Sequence, residues 1–206
     1  MQLGKVLVFD LGGVLVENGG RAALTAMLPQ KAQPGDVRLR WLASSVVQQF
    51  ERGHISSNEF ASSLVKEWGL ELDPLEFIQA FATWPKGFFP GARELLINLR
   101  PHYRLVCLSN SNEVHWARFP DLATLFDFAF SSHQIGHVKP DAAAYDFLLK
   151  RTKAEAENVY FFDDLEPNVE GARALGIKSI QVEGIAALKA ALQREGLYAE
   201  SDRSGR

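Results

Sequence analysis

Residues 5–10 read Lys-Val-Leu-Val-Phe-Asp, a short apolar run that ends in a carboxylate. A run this short and rich in β-branched residues is typical of a strand with both faces buried, as in parallel sheets. Segments of the same character recur at 104–109, 126–131 and 159–163, and a weaker one occurs at 178–182. We therefore expect a sheet of at least five strands.

Helical patterns separate these predicted strands. They lie at 91–100, 140–150 and 167–175, and each is bordered by a proline or glycine where a helix should begin or end. Strand and helix thus alternate over residues 88–195. This alternation predicts an α/β fold, a Rossmann-like parallel sheet with helices on both faces and right-handed crossovers.

The stretch from 18 to 87 breaks the alternation and has helical patterns throughout. An apolar stripe predicts one helix over 36–50. Two further helices are expected to begin after Ser56 and Asp73, which suit N-cap positions. We therefore predict a helical cap at 18–87, inserted into an α/β core that comprises 1–17 and 88–206.

Composition excludes several classes of protein. The 206 residues carry a net charge of −3, so there is no basic excess with which to bind nucleic acid. The single cysteine, Cys107, excludes an internal disulfide and a cysteine-based zinc site. The N-terminus has no signal-peptide pattern and no apolar run could span a bilayer, so we expect a cytoplasmic protein without a membrane partner.

The carboxyl ends of the predicted strands, where open parallel sheets bind ligands, carry polar side chains. They are Asp10, Ser109, Asn110, Asp163 and Asp164, and Lys139 begins a helix between the third and fourth strands. Each alone is also typical of a turn, a cap or a solvated charge. Together, the carboxylates favour a hard cation such as Mg²⁺, and the hydroxyl, amide and ammonium favour a phosphate. An aspartate held beside both is a candidate nucleophile.

Four motifs resemble those of the haloacid dehalogenase superfamily, in the family's order. They are Val-Phe-Asp-Leu-Gly-Gly-Val-Leu at 8–15, Leu-Ser-Asn-Ser-Asn at 108–112, His-Val-Lys-Pro-Asp at 137–141, and Phe-Phe-Asp-Asp at 161–164 with Asn168, Gly171 and Ala172. The helical stretch at 18–87 lies where the family's C1-type cap is inserted. The first motif is most similar to that of the sugar-phosphate phosphatases typified by α-glucose-1-phosphatases.

The resemblance implies a role for each motif residue. Asp10 would attack phosphorus to form an aspartyl-phosphate, and Lys139 would stabilise charge in the transition state. The implied Mg²⁺ ligands are the carboxylates of Asp10 and Asp164, the backbone carbonyl of Gly12 and, through water, Asp163. The implied phosphoryl ligands are Ser109, the backbone of Asn110 and Lys139.

The chain departs from the family pattern at Gly12. Most phosphatases of the superfamily carry a second aspartate at this position, which protonates the leaving oxygen and then activates water. Such groups typically contribute ~10²–10⁴-fold to the rate. Either the substrate has a good leaving group, or the enzyme is weak, or another residue supplies the proton, with Glu17 and His54 as candidates.

The leading hypothesis is a Mg²⁺-dependent phosphatase of a small phosphorylated metabolite such as a sugar phosphate, acting as a monomer or weak homodimer. A dehalogenase that uses Asp10 on carbon is the first alternative, because that branch also lacks the second aspartate. Against it, the Asp163–Asp164 pair would place needless negative charge beside the nucleophile of a metal-free enzyme. A regulatory domain that has kept the pocket without catalysis is the second alternative.

Overall fold

Seven strands and twelve helices make up the fold in a computed structural model that describes residues 4–28 and 34–199. The strands are β1 (Val6–Phe9), β2 (Val16–Asn18), β3 (Pro85–Phe88), β4 (Arg104–Ser109), β5 (Phe128–Ser131), β6 (Val159–Asp163) and β7 (Lys178–Gln181). The helices are α1 (Gly20–Met27), α2 (Pro34–Ala43), α3 (Ser45–Glu51), α4 (Ser57–Trp68), α5 (Pro74–Phe81), α6 (Ala92–Leu99), α7 (Glu113–Trp116), α8 (Leu122–Leu125), α9 (Ser132–Ile135), α10 (Ala142–Thr152), α11 (Glu166–Arg173) and α12 (Gly184–Arg194), with a 3₁₀ turn at Ala156–Asn158.

The predicted parallel sheet is confirmed, with five strands in the order β5-β4-β1-β6-β7. Strand β1 lies at its centre and pairs with β4 and β6, so that Phe9 is in register with Cys107 and Phe162. This register brings the carboxyl ends of the three strands to one edge. The strand predicted at 126–131 begins instead at Phe128, because the Phe126 amide donates to the Leu122 carbonyl (2.9 Å) and closes α8.

Both faces of the sheet are buried, as the apolar runs predicted. Alternate side chains of β1 enter two separate hydrophobic clusters, Leu7 and Phe9 on one face and Val6 and Val8 on the other. The helices of the core cover these two faces. Because nothing apolar in β1 faces water, the strand's position at the centre of the sheet is strongly specified.

The segment from α1 to α5 has a hydrophobic cluster of its own, rich in aromatic rings. The predicted capping signals are present, since Ser56 with Glu59 and Asp73 with Glu76 form capping boxes. The single helix predicted over 36–50 is two helices, α2 and α3. Between them Ser44 has extended backbone, and its hydroxyl accepts a hydrogen bond from the Val47 amide (3.3 Å) as the N-cap of α3.

A two-stranded antiparallel ribbon connects this helical segment to the rest of the chain. Strand β2 pairs with β3, and the Phe89 amide also donates to the Leu15 carbonyl (2.9 Å). The sequence did not predict this ribbon, because each strand is too short to show periodicity and is defined by pairing across about 70 residues. The domain boundaries at 17/18 and 87/88 fall within it and stay a prediction. Of the described helices, none is long and apolar enough to cross a membrane.

Candidate active site

Lys139 links two carboxylates at the carboxyl edge of the sheet. Its ammonium donates to Oδ1 of Asp10 (2.8 Å), to Oδ2 of Asp163 (2.6 Å) and to the Leu108 carbonyl (2.8 Å). All three protons of the ammonium thus have partners, and the lysine is 3% exposed. The strands β1 and β6 supply the two carboxylates from adjacent positions, and the Asp10 amide continues the ladder to the Phe162 carbonyl (2.9 Å).

Burial and mutual charge shift the pKa values of this group. Burial and the charge of Asp163 together raise the pKa of Asp10 to about 6, although Lys139 and the hydroxyl of Ser109 oppose the shift. Burial alone would lower the pKa of Lys139, but the charges and hydrogen bonds of the two carboxylates outweigh burial and raise it above its ordinary value. The lysine therefore stays protonated at any physiological pH.

Asp163 is fully buried, and both of its carboxylate oxygens are occupied. Oδ1 accepts hydrogen bonds from the Leu165 amide (2.8 Å) and the Asn168 side chain (2.9 Å), and Oδ2 accepts from Lys139 and Asn168. This carboxylate therefore orients the Lys139 ammonium. The water-mediated contact to a metal that the resemblance implies for Asp163 stays a prediction.

Ser109 and Asn110 lie at the end of β4 beside the Asp10–Lys139 pair. Ser109 is 4% exposed, and its hydroxyl hydrogen-bonds to the Asp10 carboxylate. The Asn110 side chain holds the backbone of Lys139 through two bonds, donating to its carbonyl and accepting from its amide (2.8 Å each). Asn110 thus positions Lys139 with its side chain, which leaves its backbone for the predicted contact to substrate.

The predicted metal ligands lie together. The Asp164 carboxylate packs on Gly13, where an added Cβ would come within 2.9 Å of it and where φ is +78°. Burial and the charges of Asp10 and Asp163 together raise the pKa of Asp164 to about 7, while Arg38, 3.6 Å away, opposes the shift. Three carboxylates thus face one lysine and a partly exposed arginine, an excess of negative charge that a divalent cation would offset.

The donor set is chemically suited to Mg²⁺. Within the described ranges, no three or more histidine, cysteine, aspartate or glutamate side chains are grouped so that they could hold a metal by themselves. The Asp10 and Asp164 carboxylates with the Gly12 carbonyl would supply three oxygen ligands. Mg²⁺ usually keeps several waters and is bound through one or two carboxylates together with substrate phosphate. The residues present therefore fit this ion.

A cavity of about 400 Å³ opens above this group, between the sheet edge and the helices α1 to α5. Among the side chains between residues 20 and 84 that line it are Arg21, Leu24, Arg38, Trp41, Glu51 and Trp84. Glu17, one of the two predicted sources of a proton, lines the cavity from β2 and is exposed. His54, the other candidate, is exposed to solvent and lies outside the described lining of the cavity, as a surface residue does.

The sequence missed His115, which also lines the cavity. Its Nε2 is 2.8 Å from the Phe81 carbonyl, its Nδ1 is 3.4 Å from the Asn112 amide nitrogen, and its ring stacks on Phe81. Burial lowers its pKa to about 4. The imidazole is therefore neutral and joins α7 to the cap core rather than exchanging protons.

Comparisons with known proteins agree with this geometry. The haloacid dehalogenase-like hydrolase family matches residues 5–176. A D-ribitol-5-phosphate phosphatase of Bacteroides thetaiotaomicron is 31% identical over 193 residues, which cover 87% of this chain and 92% of that protein.

Two solved structures have the same fold. A predicted hydrolase of the same family from Porphyromonas gingivalis is 25% identical and superposes with a TM-score of 0.76, over 96% of this chain and 100% of that one. A family enzyme from Bacteroides thetaiotaomicron, crystallised with magnesium and inorganic phosphate, has a TM-score of 0.71 at 21% identity, over 87% and 94% of the two chains.

Proposed function

From the premise that the chain belongs to the haloacid dehalogenase-like hydrolases and is a phosphoric monoester hydrolase, we propose that it is a Mg²⁺-dependent phosphatase of a small sugar or polyol phosphate. The observation that carries the proposal is the group formed by Asp10, Lys139 and Asp164 below a cavity of about 400 Å³. A cavity of this size suits a monosaccharide phosphate.

In the proposed reaction, Asp10 attacks the phosphorus and forms an aspartyl-phosphate, which water then hydrolyses. Lys139 keeps one oxygen of Asp10 in place, so that the other carboxylate oxygen is directed to the phosphorus. The Ser109 hydroxyl and the Asn110 backbone amide would donate to the phosphoryl oxygens. Mg²⁺, held by Asp10, Asp164 and the Gly12 carbonyl, would supply charge that offsets the repulsion between anionic nucleophile and substrate.

The proposal includes a division of labour between two domains. Residues 1–17 and 88–206 would carry the nucleophile, the metal ligands and the phosphoryl contacts, and residues 18–87 would cover them and select the substrate. Two facts support this division, the separate hydrophobic cluster of the cap and the ribbon of β2 and β3 that joins it to the core. Two tryptophans of the cap, Trp41 and Trp84, line the cavity and offer faces on which a sugar or polyol chain can pack.

The first test is turnover of an aryl phosphate with Mg²⁺ and with excess chelator. An aryl oxide leaves without protonation, so the enzyme should release it even though Gly12 carries no acid. A screen of sugar and polyol phosphates, read by phosphate release, would then identify the substrate. Undiminished turnover in chelator would contradict the metal requirement, and release of halide from 2-haloacids in place of phosphate would favour the dehalogenase.

We expect Asp164→Ala to weaken Mg²⁺ binding by more than the ~10–100-fold that loss of an outer-shell partner costs. The reason is the loss of one of the two proposed carboxylate ligands. The measurement is a Mg²⁺ titration of turnover and, independently of activity, of the thermal midpoint. The comparison variant is Asp163→Asn, which should lower kcat through Lys139 and leave the Mg²⁺ requirement near that of the wild type. Equal Mg²⁺ shifts in both variants would make Asp163 a ligand.

A further inference from the structure

One role in the proposed reaction is still unassigned, that of the group that protonates the leaving oxygen. Gly12 has no side chain to do so, and the Lys139 ammonium already donates to three oxygens. Asp163 is engaged by the same lysine and by Asn168. Where a side chain supplies the proton, it is another one that faces the cavity.

The cap places one carboxyl group in that cavity, at the C-terminal end of α3. Among the described residues that line the cavity from α1 to α5, Glu51 is the single carboxylic acid. Its side chain is partly buried, and the Trp41 indole of α2 donates a hydrogen bond to it. This hydrogen bond links Glu51 to a residue of the helix before α3.

The two residues that follow Glu51 contact the core close to Lys139, and these contacts hold Glu51 in place relative to the lysine. Arg52 forms an ion pair with Asp141 (2.7 Å), two residues beyond Lys139. At Gly53, where φ is +71°, an added Cβ would lie 2.3 Å from the His133 carbonyl oxygen, so the backbones touch at this point. The end of α3 is therefore docked on the core next to the loop that carries the catalytic lysine.

The charges around Glu51 suit proton exchange near neutral pH. Burial and, to a smaller extent, the charge of Asp10 raise the pKa of Glu51 to about 7, against the opposing effects of Lys139, the Trp41 hydrogen bond and Arg52. The other charged groups that line the cavity are Arg21, Arg38, Glu17, Asp164 and Glu183. A general acid works best when its pKa lies near the operating pH.

Resting on the proposed phosphatase function, we propose that Glu51 of the cap is the general acid and base of the reaction, in the role that Gly12 leaves open. In the first step an oxygen of Asp10 bonds to phosphorus, the bond from phosphorus to the leaving oxygen breaks, and the Glu51 carboxyl gives its proton to that oxygen. In the second step water attacks the aspartyl-phosphate and its proton passes to the Glu51 carboxylate. The bond between phosphorus and Asp10 breaks, and inorganic phosphate leaves.

The test compares Glu51→Gln with Glu17→Gln, which removes the other glutamate that the sequence suggested. For an alkyl phosphate, we expect Glu51→Gln to lower kcat/KM by ~10²–10⁴-fold, the usual contribution of a general acid. For an aryl phosphate kcat/KM should fall by a few-fold at most, because the aryl oxide needs no proton. Glu17→Gln should not discriminate between the two classes of ester.

The second step provides a readout that a structural role would not move. With an aryl phosphate, Glu51→Gln should lower kcat, because no base assists hydrolysis of the aspartyl-phosphate. A burst of aryl oxide equal to the enzyme concentration should precede the slow steady state. Acid-quenched samples should contain the enzyme plus one phosphoryl group by intact mass, and a thermal melt should match that of the wild type.

A further test asks whether the aspartate introduced by Gly12→Asp can replace Glu51 as the general acid and base. A Cβ at Gly12 would meet its nearest neighbours, the Asn18 amide nitrogen and an oxygen of Asp10, at 3.6 and 3.9 Å, which is ordinary contact. In the Glu51→Gln background this change should restore part of the alkyl phosphate turnover and abolish the burst. If the loss in Glu51→Gln were not the loss of a proton donor, the double variant would remain as slow as Glu51→Gln alone.

The outcomes separate this proposal from the proposed function. If the wild type hydrolyses aryl phosphates and Glu51→Gln loses alkyl and aryl kcat/KM alike, with no burst, the proposal is wrong. A selective alkyl loss in Glu17→Gln instead would move the role to Glu17. A higher KM alone in Glu51→Gln would make Glu51 a contact for a substrate hydroxyl. Wild-type protein that hydrolyses no phosphate ester would overturn the proposed function itself.

Discussion

Replacement of Asp10 by asparagine should abolish turnover, with a loss on the order of 10⁴-fold or more, as expected when a nucleophile is removed. The amide has the shape of the carboxylate and its oxygen can still accept from Lys139, so the fold should be preserved. The measurements are steady-state phosphate release and a thermal melt. Intact mass after acid quench should show a phosphoryl group on Glu51→Gln and none when Asp10→Asn is added to that variant.

The control for this experiment is Asp146→Asn, a carboxylate on the exposed face of α10. It should keep wild-type turnover, which excludes a general effect of the lost charge. If Asp10→Asn kept substantial activity after exclusion of contaminating phosphatase, Asp10 would not be the nucleophile.

Lys139→Met should have the second largest effect, on both stability and activity. Removing one partner of a buried ion pair leaves an uncompensated charge and typically costs about 3–5 kcal/mol. Here two carboxylates, Asp10 and Asp163, lose their cation together. We therefore expect the free energy of unfolding, measured by denaturant titration in chelator, to fall by about this amount. Turnover should be lost as well.

The double variant Lys139→Met with Asp163→Asn separates the two effects. Neutralising Asp163 removes one orphaned charge, and the amide can still bond to Asn168 and the Leu165 backbone. Stability should therefore recover in part while turnover stays lost. A Lys139→Met protein as stable as the wild type would contradict the description of this lysine as the charge centre of the site.

Much of the fold follows from local patterns. Alternate side chains of Val6–Phe9 belong to two hydrophobic clusters on opposite faces of the sheet. These four apolar residues are therefore enough to predict that the strand is buried on both faces. Capping at Ser56 and Asp73 is equally local, because the side chain and the amide it accepts from lie within three residues. The break at Ser44 escaped prediction, since the apolar stripe continues through it and only the Val47 amide reveals the cap.

The candidate site divides in the same way. Asp10, Asp163 and Asp164 end strands that a parallel sheet brings to one edge, so topology alone gathers them. The different contacts that these three carboxylates make are visible only in the tertiary structure. Asp163 holds Lys139 because Asn168, a turn into α11, occupies its other oxygen, whereas Asp164 turns away to pack on Gly13.

From the sequence alone, the parallel sheet and the polar side chains at its carboxyl edge could be predicted, because each depends on residue type at positions close in the chain, and the resemblance to the family identified the departure at Gly12. Only the tertiary structure placed Glu51 and Glu17 in the described lining of the cavity and His54 outside it. In the sequence, nothing distinguishes Glu51 except its place near the end of a predicted helix. His54, three residues later, is of a residue type that often donates protons. The contact between Arg52 and Asp141, 89 residues apart, directs Glu51 to the cavity, and His54 lies beyond the turn in solvent. No local pattern encodes a contact between such distant residues, and the energy that places them comes from packing the cap on the core.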